Sequence, residues 1–231
     1  QLKANKIGSE CFRLWKACDA QVGDDFQINP EEIEAKYFGV LTKLFNVARF
    51  ASQFDTPDDL DTTPSDLSVE DRWILAEFSS TMDRVEKGWS GLDIYTATQA
   101  LKTFGTGILP SHWLEMSKSR LYDDDVNAAW TIHRIVRDFM SALSPVCPFF
   151  THHISSTLYE TSAVDVREFP SRTPDDGSLR ALTNAIEEFN GATWRAKKEA
   201  GLSLNTPIGG ITIPEELSEF SEILTQMHKL E

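Results

Sequence analysis

The sequence predicts a mainly α protein: an antiparallel helix bundle with a small α/β appendage at its C-terminal end. Three observations lead there. Apolar residues recur at three- and four-residue steps over several long segments, which is the period of an amphipathic helix. Those segments are joined by short links rich in Pro, Gly and Asp, as antiparallel neighbours require. Alternating patterns that suit a strand occur only after residue 160, over Val164–Phe169 and Gly209–Ile213. The reading divides the chain into 1–30 (a short helix and a connector), 31–160 (the bundle) and 161–231 (the appendage).

Residues 8–20 read as a short helix with Phe12, Leu14 and Trp15 as its apolar content, and 21–29 as a loop. Asn29-Pro30-Glu31-Glu32 is a helix start, with Asn as N-cap, Pro at the first position and acids in the first turn. From there Ile33, Tyr37, Val40, Leu41, Leu44, Val47, Ala48, Ala51 and Phe54 form one stripe. The acidic, Pro-containing stretch 55–66 is a linker. Ser68 caps the next helix, whose inward residues run from Trp73 to Val85 and which ends near Gly88 and Gly91. A third helix covers 92–106; Gly105, Gly107 and Pro110 are expected to break it before the helical stretch 111–122. Asp123-Asp124-Asp125 opens a helix to about Leu143, and Ser144–Pro148 closes it and opens the helix 148–160. Residues 177–199 and 215–230 supply the last helices.

Composition bounds the function. A hydrophobic fraction of 41% over 231 residues supports a core without metals or disulfides. No apolar run reaches the ~18 residues that a membrane helix needs. The N-terminus carries no signal-peptide core and no initiator Met, which suggests a chain cut from a longer polypeptide. Cys11, Cys18 and Cys147 are odd in number, and Cys11 and Cys18 are about 10 Å apart along one helix face, too far for a disulfide. A reducing, cytoplasmic setting is the expectation.

The net charge of −14 argues at first against a nucleic-acid partner. Its distribution changes that. Residues 55–71 carry seven acids and no base, 123–125 add three aspartates, and 173–231 carry ten acids against five bases. Segments 1–54, 72–122 and 126–172 total 0, +1 and 0, so a local basic helix face remains open.

No complete active site is legible. Gly105-Thr106-Gly107 lacks the third glycine and the preceding strand of a phosphate loop. His152 and His153 are adjacent, so on a helix they diverge by about 100° and do not converge on a metal; surface histidines are the simpler reading. His112 and His133 are isolated. No G-x-S-x-G elbow occurs. Met116-Ser117-Lys118-Ser119 sits inside a helical run rather than a flexible nucleotide-binding loop. The expectation is therefore no catalytic residue, no metal and no cofactor in this chain.

The second helix is more informative. Lys43, Asn46 and Phe50 are spaced by three and four and share a face with Arg49 beside them. A cation, an amide and an aromatic ring suit single-stranded bases: phosphate contact, edge hydrogen bond and stacking. From spacing alone, the more ordinary alternative is that Phe50 is peripheral core and Lys43 a solvated charge.

Lys43-Leu44-Phe45-Asn46-Val47-Ala48-Arg49-Phe50 resembles the K-L-[WY]-N-A-x-R-F signature of class I aminoacyl-tRNA synthetases of the valine/isoleucine/leucine subgroup. Gly8–Trp15 is similar to that family's G-A-D-x-x-R-x-W helix, and Asp71-Arg72-Trp73-Ile74-Leu75 to its D-R-W-I-L helix start. Trp113-Leu114-Glu115 with Arg120-Leu121-Tyr122 resembles the valyl branch. Ser144–Phe149, Arg167–Pro170 and Gly201–Ile208 resemble A-P-x-x-P-F, the strand that follows, and the G-L-S-L-N-x-P-I of archaeal-type members. Phe45 and His112 depart from the family pattern. The resemblance, over about residues 8–214, implies the anticodon-binding helical region of a valine–tRNA ligase, with isoleucine or leucine relatives and a helical protein-interaction module as alternatives. It implies a tRNA partner, a catalytic domain in cis before residue 1 that would hold ATP and Mg, and tRNA contacts at Phe50, Arg49, Asn46 and Lys43. Arg13 and Lys16 would lie on a stem-contact helix.

Overall fold

The computed structural model describes residues 8–19, 23, 28–159 and 168–231. Helix α1 (Ser9–Cys18) precedes two long helices, α2 (Pro30–Ala51) and α3 (Val69–Ser90). The caps read from the sequence are in place. Asn29 Oδ1 accepts the Glu31 N–H at 3.3 Å, Ser68 Oγ accepts the Asp71 N–H at 3.4 Å, and Asp125 Oδ1 accepts those of Asn127 and Ala128 at 2.9 and 3.0 Å. Each satisfies amide donors that the first helical turn leaves unpaired.

The turn after α3 is tight. A Cβ on Gly88 would sit 2.8 Å from Ala97 Cβ and 2.9 Å from Asp93 O, so only glycine lets α3 approach α4 (Ile94–Thr103) this closely. Beyond α4 the structure departs from the sequence expectation. Gly105, Gly107 and Pro110 do not break the helix; Phe104–Trp113 is wound as a π-helix that runs directly into α5 (Leu114–Tyr122). The wider turn carries Pro110, which lacks an amide donor and would clash in an α-helix. Packing decides the outcome. Phe104, Leu109 and Trp113 are buried, and Gly105 lies where a Cβ would meet Leu44 of α2 and Phe139 of α6 (Val126–Leu143), each at 2.7 Å.

Helix α6 runs through the core against α2, α3 and α7 (Pro148–Leu158). The acidic stretch after α2 is pinned to it rather than loose. Leu60 is buried, and the buried Arg134 guanidinium donates to the Leu60 carbonyl at 2.8 Å, to Ser171 O at 2.9 Å and to Asp138 Oδ2 at 2.5 Å. A second arginine cluster, built on the half-buried Arg120, ties α5 to α3. Arg120 donates to Ser68 Oγ (2.7 Å), Glu70 Oε1 (2.6 Å), Asp71 Oδ2 (2.8 Å) and Asp125 Oδ2 (2.9 Å), while Trp113 Nε1–H donates to Asp71 Oδ1 at 3.1 Å.

The C-terminal part is helical. Helices α8 (Gly177–Arg180), α9 (Thr183–Glu199) and α10 (Ser221–His228), the last preceded by a 3₁₀ turn (Glu215–Phe220), pack on α3, the π-helix and α5. The expected α/β character of this appendage is not found among the described residues. Gly209–Ile213 forms no strand; a single parallel bridge joins Ile208 to Leu230. The alternation is real, but Ile211 and Ile213 use it to pack against the helical core, and Gly210 bends the chain at φ +77°. A strand also needs a neighbour to satisfy its backbone groups. Of Val164–Phe169, residues 164–167 lie outside the described residues, and Glu168 and Phe169 are not in a strand.

Where α9 and α10 meet the π-helix, a polar network is buried. His112 Nδ1 lies 2.9 Å from Asn190 Nδ2, Asn190 Oδ1 lies 2.7 Å from His228 Nε2, and Trp194 stacks on His112. Burial depresses the pKa of both histidines, His228 to about 4 with the nearby Lys197 and His112 adding to the effect. Both rings are therefore neutral at pH 7 and serve as hydrogen-bonding spacers.

Candidate nucleic-acid interface

Helix α2 buries Ile33, Tyr37, Leu41, Leu44, Val47, Ala48 and Ala51 along one stripe. At 100° per residue, Phe45 and Phe50 then fall on opposite flanks of that stripe, and Arg49 and Asn46 fall on the solvent side between them. The burial agrees: Lys43, Phe45, Asn46 and Arg49 are exposed and Phe50 is half-buried. Residues 35–54 carry three bases and no acid. Lys36 is held by Asp19 at 2.6 Å, whereas Lys43 and Arg49 form no ion pair among the described residues. Two uncommitted cations thus stand on a face without a competing carboxylate of its own.

Phe50 belongs to an aromatic trio that one helix alone does not reveal. Its ring centroid lies 5.1 Å from Phe54 and 6.1 Å from Tyr122, both edge-to-face, and Phe54 lies 5.8 Å from Tyr122. Phe50 also packs against the core, so the peripheral-core reading describes one side of its ring. Tyr122 is 62% exposed and ends α5, two residues beyond Arg120. The trio forms a shelf of aromatic faces and edges beside Asn46 and Lys43. Exposed Asp123 and Asp124 follow Tyr122 directly and set a negative boundary on its far side.

The structure does not bring Arg13 and Lys16 to this face. They line a separate cavity of about 840 Å³ with Phe12 and residues of the α3–α4 turn. Arg13 is already engaged there: its Nε–H donates to Val146 O at 2.7 Å and its Nη2 to Pro145 O at 3.1 Å, joining α1 to the α6–α7 turn. Lys16 lies over the Trp15 ring at 5.3 Å. Met116–Ser119 is part of α5, with Met116 and Ser117 buried and Lys118 paired to Glu115, so this sequence is structural here. His152 and His153 are both exposed on α7. Among the described residues no group of three or more metal-ligating side chains converges, and no helix is long and apolar enough to cross a membrane.

Sequence reasoning missed Phe54 and Tyr122 as members of the site and had no way to pair α2 with α7. The sequence placed Tyr122 at the end of an amphipathic helix and inside the Arg120-Leu121-Tyr122 resemblance, but neither signal pointed to α2.

A sequence profile of the anticodon-binding domain of tRNA ligase matches residues 71–213. The chain belongs to this family. Among curated proteins it is 32% identical to the valine–tRNA ligase of Saccharolobus solfataricus over 89% of this chain and 24% of that protein. It is 29% identical to that of Aeropyrum pernix over 97% of this chain and 28% of that protein, and 30% identical to that of Pyrobaculum aerophilum over 97% and 29%. The chain thus spans about a quarter of the length of these relatives. Among solved structures, the LeuRS of Agrobacterium radiobacter in a ternary complex with tRNA and LeuAMS shares the fold, at a TM-score of 0.58 and 13% identity over 77% of this chain and 21% of that one. The helical bundle read from the sequence is the architecture found, and the expected strands are not present among the described residues.

Proposed function

We propose that the exposed face of α2 binds the anticodon loop of a tRNA, with Phe50 stacking on a base, Asn46 meeting a base edge, and Arg49 and Lys43 meeting phosphates. The observation that carries this is the Phe50–Phe54–Tyr122 shelf standing beside two cations, Lys43 and Arg49, that form no ion pair among the described residues and lie on the acid-free 35–54 stretch. Aromatic platforms flanked by positive charge are how proteins hold unpaired nucleotides. The acidity of the chain lies off the 35–54 stretch of α2, in the pinned linker and the 123–125 turn that border the shelf and in the C-terminal helices.

The chain would act as the tRNA-reading part of a valine–tRNA ligase, with the ATP-dependent ligation carried by a catalytic domain in the same polypeptide. Its likeness to three archaeal valine–tRNA ligases supports valine over isoleucine or leucine. Arg13 and Lys16 on α1 would approach the tRNA separately from α2, and Arg13 could do so only with the nitrogen it does not spend on Pro145 and Val146. A titration with tRNAs that differ only in the anticodon tests the reading. Tighter binding to a valine anticodon supports it; equal binding to all of them, or none at low salt, refutes it.

A further inference from the structure

The opposite flank of α2 carries a pocket that the stacking shelf does not use. It lies between α2 and α7 and encloses about 150 Å³. Buried Ala48 and Ile154 line its base, Phe45 and His153 stand over it from the two helices, and Arg49 lies at its edge. Phe45 is 41% exposed, and the exposed Phe38 lies two turns earlier on the same face of α2.

We propose that this pocket receives a single nucleobase of the bound RNA, with the attached phosphate on Arg49. The proposal rests on the reading of α2 as an RNA-binding face. The volume matches one heterocyclic ring and is well below the roughly 300–1,000 Å³ of sites for larger small molecules. Its walls are a phenyl ring, an imidazole and aliphatic groups, which suit a flat π-face. Its rim holds a guanidinium without a partner among the described residues, immediately beside the apolar cavity. A nucleotide presents an anion and a flat ring side by side. Arg49 is shared with the shelf side, so the pocket continues the basic face and does not stand apart from it.

The hydroxyls at the pocket give it a hydrogen-bonding sense. Thr157 Oγ1 donates to His153 O at 2.7 Å, and Ser52 Oγ donates to Arg49 O at 2.8 Å. Each hydroxyl has spent its single proton on the backbone, so each offers the pocket only acceptor lone pairs. The preferred occupant is therefore a base that presents an amino group, with adenine, cytosine or guanine favoured over uracil.

The test uses the full chain and an RNA hairpin carrying the anticodon loop. Each loop nucleotide is replaced in turn by an abasic site, and Kd is measured for the native protein, for Thr157→Phe, which fills the pocket from an exposed position, and for Phe45→Ala. Circular dichroism confirms that the variants fold. We expect one abasic position to weaken binding at least tenfold, Thr157→Phe to weaken the intact hairpin by a similar factor, and the two changes together to weaken it no further than either alone. Phe45→Ala should lower affinity several-fold. If native protein binds the hairpin and Thr157→Phe binds it equally well, the pocket proposal is overturned while the α2 reading stands. If Thr157→Phe and the abasic site add independently, the base sits elsewhere and the proposal is again overturned. If the native protein binds no hairpin at all, both fall.

Discussion

Replacing Arg120 with Met should remove much of what holds α5 against α3, and with it the position of Tyr122. Arg120 makes four hydrogen bonds between 2.6 and 2.9 Å, three of them to carboxylates. Its side chain is 20% exposed, while those of Glu70 and Asp71 are 4% and 0% exposed. Met keeps most of the aliphatic stem, so lost packing contributes little. The two buried carboxylates lose their counterion; Asp71 keeps the Trp113 indole and its own helix cap. Breaking a buried pair from one side costs about 3–5 kcal/mol, a large share of the roughly 5–15 kcal/mol that holds a domain folded. At roughly 2–4 °C per kcal/mol for a chain this size, Tm should fall by about 6–20 °C. Urea unfolding followed by far-UV circular dichroism measures the loss at 25 °C. Arg120→Lys should recover only part of it, because a single ammonium cannot meet four acceptors arranged around a planar fork. Adding Asp71→Asn to Arg120→Met should cost less than the sum of the two changes, since the second removes the charge that the first leaves stranded. A loss below about 1 kcal/mol for Arg120→Met, or full additivity of the pair, would show that the ion cluster does not hold these helices together.

Gly105→Ala should destabilise by about 1–3 kcal/mol, because its Cβ would lie 2.7 Å from both Leu44 and Phe139, and a urea midpoint equal to the native one would contradict the close approach of α2 and α6. Phe50→Ala should weaken binding of an anticodon-loop hairpin by about 1–3 kcal/mol, read by fluorescence titration, and unchanged affinity would remove its stacking role. Arg49→Gln and Lys43→Gln should each lower the slope of log K against log salt by about 0.7, the value for one phosphate contact on a single strand, and an unchanged slope would place the phosphates elsewhere. Acid should unfold the protein from a mild pH. His112, His133 and His228 all have pKa values depressed by burial, so the unfolded chain binds more protons than the folded one. The stability they confer is complete above about pH 6.5 and is lost as pH falls toward the value of about 4 for His228. His228→Gln should flatten the fall in Tm between pH 6.5 and 5, and an identical profile would exclude this histidine as a source.

Most of the helical architecture was written in local pattern. Asn29-Pro30, Ser68 and Asp125 started helices where the sequence placed them, because a cap is a short-range hydrogen bond between neighbours in the chain. The stripe from Ile33 to Ala51 correctly assigned which side of α2 is buried, and so which residues face solvent. That left Lys43, Asn46 and Arg49 as candidates, because periodicity alone sorts them from the core. Three features depended on contacts between distant parts of the chain and had no local signature. Gly105 and Pro110 read as a break, yet packing against Leu44 and Phe139 winds that segment into a continuous π-helix. The alternation at Gly209–Ile213 read as a strand, but alternation fixes only which residues turn inward, and here the inward surface is a helix rather than a neighbouring strand. The surroundings of α2 were likewise invisible: Tyr122 arrives from α5, held by the Arg120 cluster, and His153 and Thr157 arrive from α7. The sequence by itself determined the helices and the charge of one exposed face. Only the tertiary structure decided what stands on either side of that face, because side chains separated by more than seventy residues meet through packing.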